Sequence, residues 1–217
     1  MRNRWILMTV VGALYLAPSC LAQEQDHDHE HKAPKALKPA KGGAQLTSQE
    51  RADWMLNAVT DQFIVIGDAH WHKGEYAHMV NLLKSVVTAR PTDLDSYANA
   101  GWLLWSMDRD DEAIALYDQG LKANPNTSYM YDELGNYYYQ RKKNYIKALS
   151  YYEGAAQKKD VATLTLHMLA HTYEKLNQLD TALKVWERCA SIPGDAAAKT
   201  NLARVKIKIS QRGLKSI

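Results

Sequence analysis

The chain has 217 residues, and its 27 Lys and Arg residues nearly balance its 24 Asp and Glu residues, for a formal charge of +3. This balance gives no reason to expect a general affinity for nucleic acid or for an anionic membrane surface. Only two cysteines are present, which excludes a small disulfide-rich fold.

The first 22 residues have the order of a secretory signal peptide. Arg2 and Arg4 precede an apolar run over residues 5–17, and small residues follow up to Ala22. The run is shorter than the roughly 20 apolar residues that a membrane-spanning helix needs. We therefore predict a signal peptide over residues 1–22 and an exported chain, periplasmic or secreted, with no transmembrane segment.

The two cysteines fall on different sides of this predicted cleavage. Lipid attachment at Cys20 is not favoured, because Ala17 stands where a lipobox has leucine. Removal of residues 1–22 leaves Cys189 with no intramolecular disulfide partner, and we expect its thiol to be buried and inert.

Residues 23–46 are predicted to form a flexible tether, since they hold few large apolar side chains. The tether begins with DHDHEH, in which His27, His29 and His31 alternate with carboxylates. Such a run either binds Zn, Ni or Cu ions weakly or serves only as a solubilising tail.

Ordered structure is predicted to begin at Thr47, because Thr47 and Glu50 have the spacing of a capping box. Apolar residues follow at helical spacing from Trp54 to Ile66. Beyond them a 34-residue period appears. It separates Gly67, Gly101 and Gly135, and also Pro91 and Pro125, Leu83 and Tyr117, Tyr152 and Trp186, and Ala155 and Cys189. A period of this length kept at independent positions indicates stacked helical hairpins.

These positions resemble the tetratricopeptide repeat. The second unit matches the family pattern at Tyr97, Ala100-Gly101, Ala113, Tyr117 and Pro125, and the third at Leu134-Gly135, Tyr138, Ala148 and Tyr152. The resemblance implies an all-α fold, a right-handed α-solenoid. We expect an ordered domain over residues 47–194, with repeats at about 60–93, 94–127, 128–162 and 163–194. A C-terminal capping helix and tail follow over residues 195–217, the helix running from Asp195 to about Gln211.

Several local features follow from the repeat. Gly74, Asp108 and Asn177 share one turn position, where a left-handed backbone is expected. Small residues such as Gly101 let paired helices approach closely, whereas Met79 predicts a wider first hairpin. The third unit is one residue longer, and we place the extra residue in its turn, around residues 142–144.

The resemblance also implies a concave groove lined by the first helix of each repeat. The groove positions of the family fall on the following partner-binding candidates: Asp68, Trp71, His72, Asp95, Trp102, Trp105, Tyr129, Asp132, Asn136, Tyr139, His167 and His171. Indoles and carboxylates predominate, which favours an extended peptide that is basic or contains proline. For Trp71 and Trp102 the alternative is packing against the helix that begins at Thr47.

Histidines occur in two further groups. His70, His72 and His78 are not expected to converge or to share a metal site, because His72 lies about 200 degrees around the helix from His70 and His78 belongs to the next helix. His167, His171 and Glu174 share one helical face and could ligate zinc, although polar groups lining a groove have the same spacing.

We therefore predict an exported adaptor that binds a protein or peptide partner in an aromatic and acidic groove, without catalysis and without a required cofactor. The alternative is a periplasmic metal-binding or metal-buffering protein. It would use the His-rich tether and the face formed by His167, His171 and Glu174. No nucleophile with an adjacent base and no phosphate-binding loop is recognisable, so an enzyme is not expected. The sequence leaves the partner's identity and the oligomeric state open.

Overall fold

The computed structural model of the protein describes residues 46–214. The predicted signal peptide, Cys20 and the metal candidates His27, His29 and His31 lie outside these residues. Within them the chain is helical and has no strand, as predicted. The helices are α1 (Ser48–His72), α2 (Tyr76–Ala89), α3 (Leu94–Ser106), α4 (Asp110–Ala123), α5 (Tyr129–Asn136), α6 (Tyr145–Ala156), α7 (Thr163–Lys175), α8 (Leu179–Ala190) and α9 (Ala196–Leu214).

The first eight helices pair in order as four hairpins. The second helix of each hairpin packs against the first helix of the next, and α9 packs against α8. Each hairpin thus buries its apolar side against its neighbours, as a stacked repeat must. The predicted all-α solenoid with a terminal capping helix is confirmed. Among residues 46–214, no helix has the length and apolar character required to cross a membrane.

Helix α1 is longer than its partner. Thr47 and Glu50 form the expected capping box, and the helix then continues unbroken for 25 residues to His72. At 1.5 Å per residue it measures about 37 Å, against about 21 Å for α2. The first half of α1 therefore extends past α2, and its apolar residues Trp54, Met55 and Val59 are exposed. The helix from Thr47 and the first helix of the first repeat are one element.

The turns within hairpins use the predicted left-handed position. Gly74, Asp108 and Asn177 have φ angles of +74°, +62° and +59°. In the third hairpin the equivalent residue is Lys143, with φ +52°.

The extra residue of the third unit does not lie in this turn, so that prediction was wrong. A π-helical turn, Tyr137–Arg141, continues α5 and absorbs it. The turn is closed by the Asn144 amide donating to the Tyr138 carbonyl, one residue further back than in the other hairpins. A π turn adds one residue to a helix while leaving the turn after it unchanged.

Close helix approach is confirmed in the second and third hairpins. A Cβ atom added to Gly101 would lie 2.1 Å from a Tyr117 ring carbon, and one added to Gly135 would lie 2.6 Å from the Tyr152 ring. At Gly67 the nearest atom would be Met79 Cγ at 3.6 Å, which agrees with a wider first hairpin.

Helix α9 closes the last hairpin. Asp195 caps it by accepting a hydrogen bond from the Ala198 amide at 2.8 Å, and Ala198 and Val205 are fully buried against the core. Cys189 is also fully buried beneath this helix, as expected, and burial raises the pKa of its thiol to about 11.

Candidate functional site

A row of indole rings crosses the first helices of the first two hairpins. The rings of Trp71 on α1 and Trp102 on α3 lie 5.7 Å apart between centroids, and those of Trp102 and Trp105 lie 6.0 Å apart. Tyr76 extends the row, its ring 5.3 Å from Trp71. We call Trp71, Trp102 and Trp105 the indole row.

The spacing on α3 explains why these rings reach the surface. Trp102 and Trp105 are three residues apart and share one helical face, whereas Leu103 and Leu104 between them are buried in the core. Trp102 is 44% exposed, and Trp71 and Trp105 are half-buried. The row is therefore open to a binding partner. Trp71 lies on α1, the helix that begins after Thr47, and Trp102 contacts that helix through Trp71, as the alternative interpretation expected.

A pocket of about 220 Å³ opens where the indole row meets the third hairpin. It is lined by Trp102, Trp105, Glu133, Asn136, Tyr137 and Gln140. None of these six side chains is basic. The π turn contributes directly, because Tyr137 and Gln140 belong to it.

The acid of this pocket, Glu133, was missed by the sequence analysis. It shares a helical face with Met130, three residues before it, and Tyr137, four residues after it, and both of these are buried. The position of this carboxylate between two large apolar residues on one helical face was the sequence signal that could have identified it. The family pattern pointed instead to its neighbour, Asp132.

The environment of Glu133 disfavours its charged form. Burial is the largest cause, and the nearby carboxylates of Asp132 and Asp95 add to it, so the pKa of Glu133 is raised to about 7 despite a hydrogen bond with Tyr117. Burial likewise raises the pKa of Asp132. A site of this kind gains most from a cation that would restore the charged form.

Other predicted groove residues have partners within the protein. His72 Nε2 lies 3.6 Å from a carboxylate oxygen of Asp68. Tyr129 donates its hydroxyl hydrogen to Asp95 at 3.0 Å, and Asn136 donates to Asp132 at 3.0 Å.

Tyr139 is half-buried and lies away from the pocket lining. Its ring packs edge-on against those of Tyr145 and Tyr152, with centroids 5.1 Å and 6.5 Å away. This predicted groove residue therefore contributes mainly to packing within the third hairpin.

The predicted residues of the fourth hairpin hold α9. Glu174 is only 8% exposed in its side chain, and both its oxygens accept hydrogen bonds from Arg204, at 2.6 and 2.7 Å. Lys208 and Trp186 also donate to it. Burial alone would raise the pKa of Glu174, but these hydrogen bonds outweigh it and lower the pKa to about 2.

The histidines beside Glu174 are also engaged. His167 Nε2 lies 2.6 Å from Asp195, and the ring of His171 packs edge-on against Trp186 at 4.9 Å. With Glu174 neutralised by Arg204 and Lys208, no free carboxylate remains for a metal ion on the face that the sequence suggested for zinc. That face joins the capping helix to the last repeat.

His70 and His78 come together with Glu75 at the turn between α1 and α2, which the sequence did not predict. The rings of His70 and His78 lie 5.1 Å apart, and Glu75 lies 2.5 Å from His70 Nδ1. His72 alone is apart, beside Asp68. The prediction that His70 and His78 do not converge was wrong, because it compared angles along helices and neglected that the hairpin brings the end of α1 onto the start of α2.

Comparison with known proteins agrees with the fold. The tetratricopeptide repeat model matches residues 94–127 and 165–195, which hold the second and fourth hairpins. No curated protein has significant sequence similarity to the chain.

Three solved structures illustrate the likeness. MamA is 19% identical, with 71% of this chain and 84% of that chain covered and a TM-score of 0.56. PilF of Pseudomonas aeruginosa is 14% identical, with 72% of each chain covered and a TM-score of 0.58. YrrB, described as a TPR protein with an unusual peptide-binding site, is 17% identical, with 69% and 77% covered and a TM-score of 0.51. At these identities the likeness shows the fold alone, and the family model identifies tetratricopeptide repeats at residues 94–127 and 165–195.

Proposed function

We propose that the protein is an exported adaptor, without catalytic activity, that binds an extended segment of a partner protein along the indole row. A lysine or arginine side chain of that segment enters the pocket beside Glu133. The repeat family and the similar solved structures support a role in protein interaction, and the chemistry of this pocket supports the choice of a basic peptide.

The observation that carries the proposal is the combination of Trp102, Trp105 and the half-buried carboxyl group of Glu133 around one small cavity. A cation over an indole face gains about 0.5–2 kcal/mol, more as it is desolvated. It would also stabilise the ionised form of Glu133, whose pKa is about 7 without a partner. A carboxylate-bearing segment would be repelled by Glu133, Asp132 and Asp95.

The size of the pocket favours one side chain over a whole small molecule. Its volume is about 220 Å³, below the roughly 300–1,000 Å³ of typical small-molecule sites. The row of rings that leads away from it, from Trp105 through Trp102 and Trp71 to Tyr76, proceeds in steps of 5.3–6.0 Å. Such a row is matched by about five residues of extended chain.

A peptide library tests the proposal. The full chain is immobilised and exposed to capped nine-residue peptides with random flanks and a central Lys, Arg, norleucine or Glu. Peptides with a central Lys or Arg should be enriched, and those with Glu should be depleted. Affinities of the best binders are then measured by calorimetry.

Two tryptophans provide matched variants for this assay. Trp102 and Trp54 are each 44% exposed, but Trp54 lies on the first half of α1, outside the indole row. Trp102→Ala should weaken peptide binding at least about tenfold, or about 1.4 kcal/mol, whereas Trp54→Ala should leave it unchanged. Equal loss in both variants, or selection of norleucine over lysine, would refute binding at this pocket.

A further inference from the structure

The turn of the first hairpin gathers three side chains with metal-binding chemistry. His70 lies in the last turn of α1, Glu75 immediately precedes α2, and His78 lies in the first turn of α2. One ligand atom from each can be chosen so that all three lie within 4.8 Å of one another. Two imidazoles and one carboxylate are a common ligand set for zinc, which leaves a fourth position to water.

The sequence produces this arrangement through Gly74. Its φ of +74° reverses the chain, and the Glu75 amide then donates to the His70 carbonyl at 2.9 Å. The Glu75 side chain makes no capping hydrogen bond to α2, so it is free to turn toward His70 Nδ1. His78 follows one helical turn later and brings its ring against that of His70.

We infer that His70, Glu75 and His78 bind one divalent transition-metal ion, of which Zn²⁺ is the reference case. Ligands 2.0–2.1 Å from a tetrahedral ion are about 3.3 Å apart. The His70 Nδ1 to Glu75 distance of 2.5 Å must therefore open by about 0.8 Å, while the other ligand atoms move closer. Glu75 and His78 are exposed, so their side chains can make these adjustments without disturbing the core.

The chemistry of the set selects the class of ion. Imidazole suits Zn²⁺, Ni²⁺ and Cu²⁺, whereas Ca²⁺ and Mg²⁺ require more oxygen ligands than one carboxylate supplies. The Lys73 ammonium group acts on Glu75 and opposes the ion.

A second group of candidate ligands in the described part of the chain, His167, Cys189 and Asp195, is less suited to a metal ion. Asp195 already caps α9 and pairs with His167. The thiol of Cys189 is fully buried, and its raised pKa keeps it protonated. A thiol must lose its proton before it binds a metal.

Metal binding would tie the end of α1 to the start of α2. This turn adjoins the indole row. Trp71 follows His70 in α1, and its ring packs against Tyr76, the residue after Glu75. An ion held here would therefore stiffen the first hairpin beside the proposed peptide site. The metal site does not depend on that peptide site, since none of its ligands lines the pocket.

The test uses the full chain with His27→Asn, His29→Asn and His31→Asn, which removes the imidazoles of the predicted tether. Binding of Zn²⁺ is measured by equilibrium dialysis, and binding of Co²⁺ by the visible absorption of a four-coordinate ion. We expect one ion per chain. Both His78→Asn and Glu75→Gln in this background should lower the affinity at least about tenfold.

His72→Asn is the matched control, because His72 is exposed, lies two residues from His70 and pairs with Asp68 outside the cluster. It should bind Co²⁺ as the parent does. Zn²⁺ should also raise the unfolding temperature of the parent and of His72→Asn, but not that of His78→Asn, since the ion stabilises only the folded turn. Absence of binding in the tether-substituted parent, or equal binding by His78→Asn, would overturn the proposal.

Discussion

Replacement of Gly101 by alanine tests the close helix approach that defines the repeat. A Cβ atom at this position would lie 2.1, 2.5 and 2.7 Å from three ring carbons of Tyr117. Contacts shorter than 3.0 Å force a neighbour to shift. Tyr117 is fully buried, so its ring cannot swing into solvent. The second hairpin must therefore spread to accept one methyl group.

The magnitude follows from two opposed effects. Overpacking a core costs about 1–3 kcal/mol, and the complete burial of Tyr117 favours the upper half of that range. Alanine is preferred to glycine in a helix by about 1 kcal/mol. Gly101→Ala should thus reduce the free energy of unfolding by about 1–2 kcal/mol. In a domain of this size the unfolding temperature should fall by about 2–8 °C.

Gly67→Ala is the matched control, one repeat earlier at the same position. Its Cβ atom would lie 3.6 Å from Met79 Cγ and 4.0 Å from Leu82 Cδ1, which are ordinary contacts. The helix preference then acts alone, and the variant should be more stable than the parent by about 0.5–1 kcal/mol. Thermal and urea unfolding followed by circular dichroism measures both. If the two alanine variants have the same free energy of unfolding, the closer helix approach at Gly101 does not determine the cost of the added methyl group.

Three further predictions concern charged and strained residues. Because the pKa of Glu133 is raised from 4.5 to about 7, its carboxyl group destabilises the fold increasingly as the pH rises through that interval. Glu133→Gln should therefore gain stability relative to the parent between about pH 5 and pH 8. A difference in unfolding temperature between the two proteins that stays constant over this range would contradict the prediction. The pKa of Glu174 is instead depressed to about 2, so the stabilisation from its carboxylate is present above pH 4.5 and is lost as the pH falls toward 2. Glu174→Gln should therefore be less stable than the parent at neutral pH. Its unfolding temperature should also depend less on pH in the acid range. Lys143→Gly should raise the free energy of unfolding by about 0.5–1 kcal/mol, because glycine adopts the φ of +52° without strain. Chemical denaturation measures this, and a lower free energy of unfolding in the variant would contradict the prediction.

The repeat architecture could be predicted from sequence because its signals are local and recur. The period of 34 indicated stacked helical hairpins, and the left-handed turn at Gly74, Asp108 and Asn177 could be predicted from residue type. Close approach at Gly101 and its absence at Gly67 followed from the size of the residue opposite each glycine.

The extra residue of the third hairpin shows a limit of such spacing arguments. Counting from Gly135 to Ala148 detects an insertion but not its place. The helix absorbed it as a π turn because Lys143 then keeps the same left-handed position as its counterparts in the other hairpins. That placement brings Tyr137 and Gln140 into the pocket.

The candidate sites depended on packing between units, which periodicity does not describe. The helical face of His167, His171 and Glu174 was expected to be open to a metal ion or a partner, but Arg204 of α9 binds Glu174 there. Glu133 was overlooked because the pattern marked only Asp132. His70 and His78 were separated by reasoning along each helix, although the turn between them joins their side chains.

The proposed peptide site is centred on the pocket beside Glu133, and the pKa of that residue reports directly on what enters the pocket. The side-chain carboxyl carbon of Glu133 can be followed by NMR as a function of pH, with and without a saturating peptide that carries a central lysine. We expect a pKa of about 7 for Glu133 in the free protein and a markedly lower value in the complex, because the bound ammonium group stabilises the carboxylate. A peptide that binds fully while the pKa of Glu133 stays unchanged would show that the basic side chain does not enter this pocket.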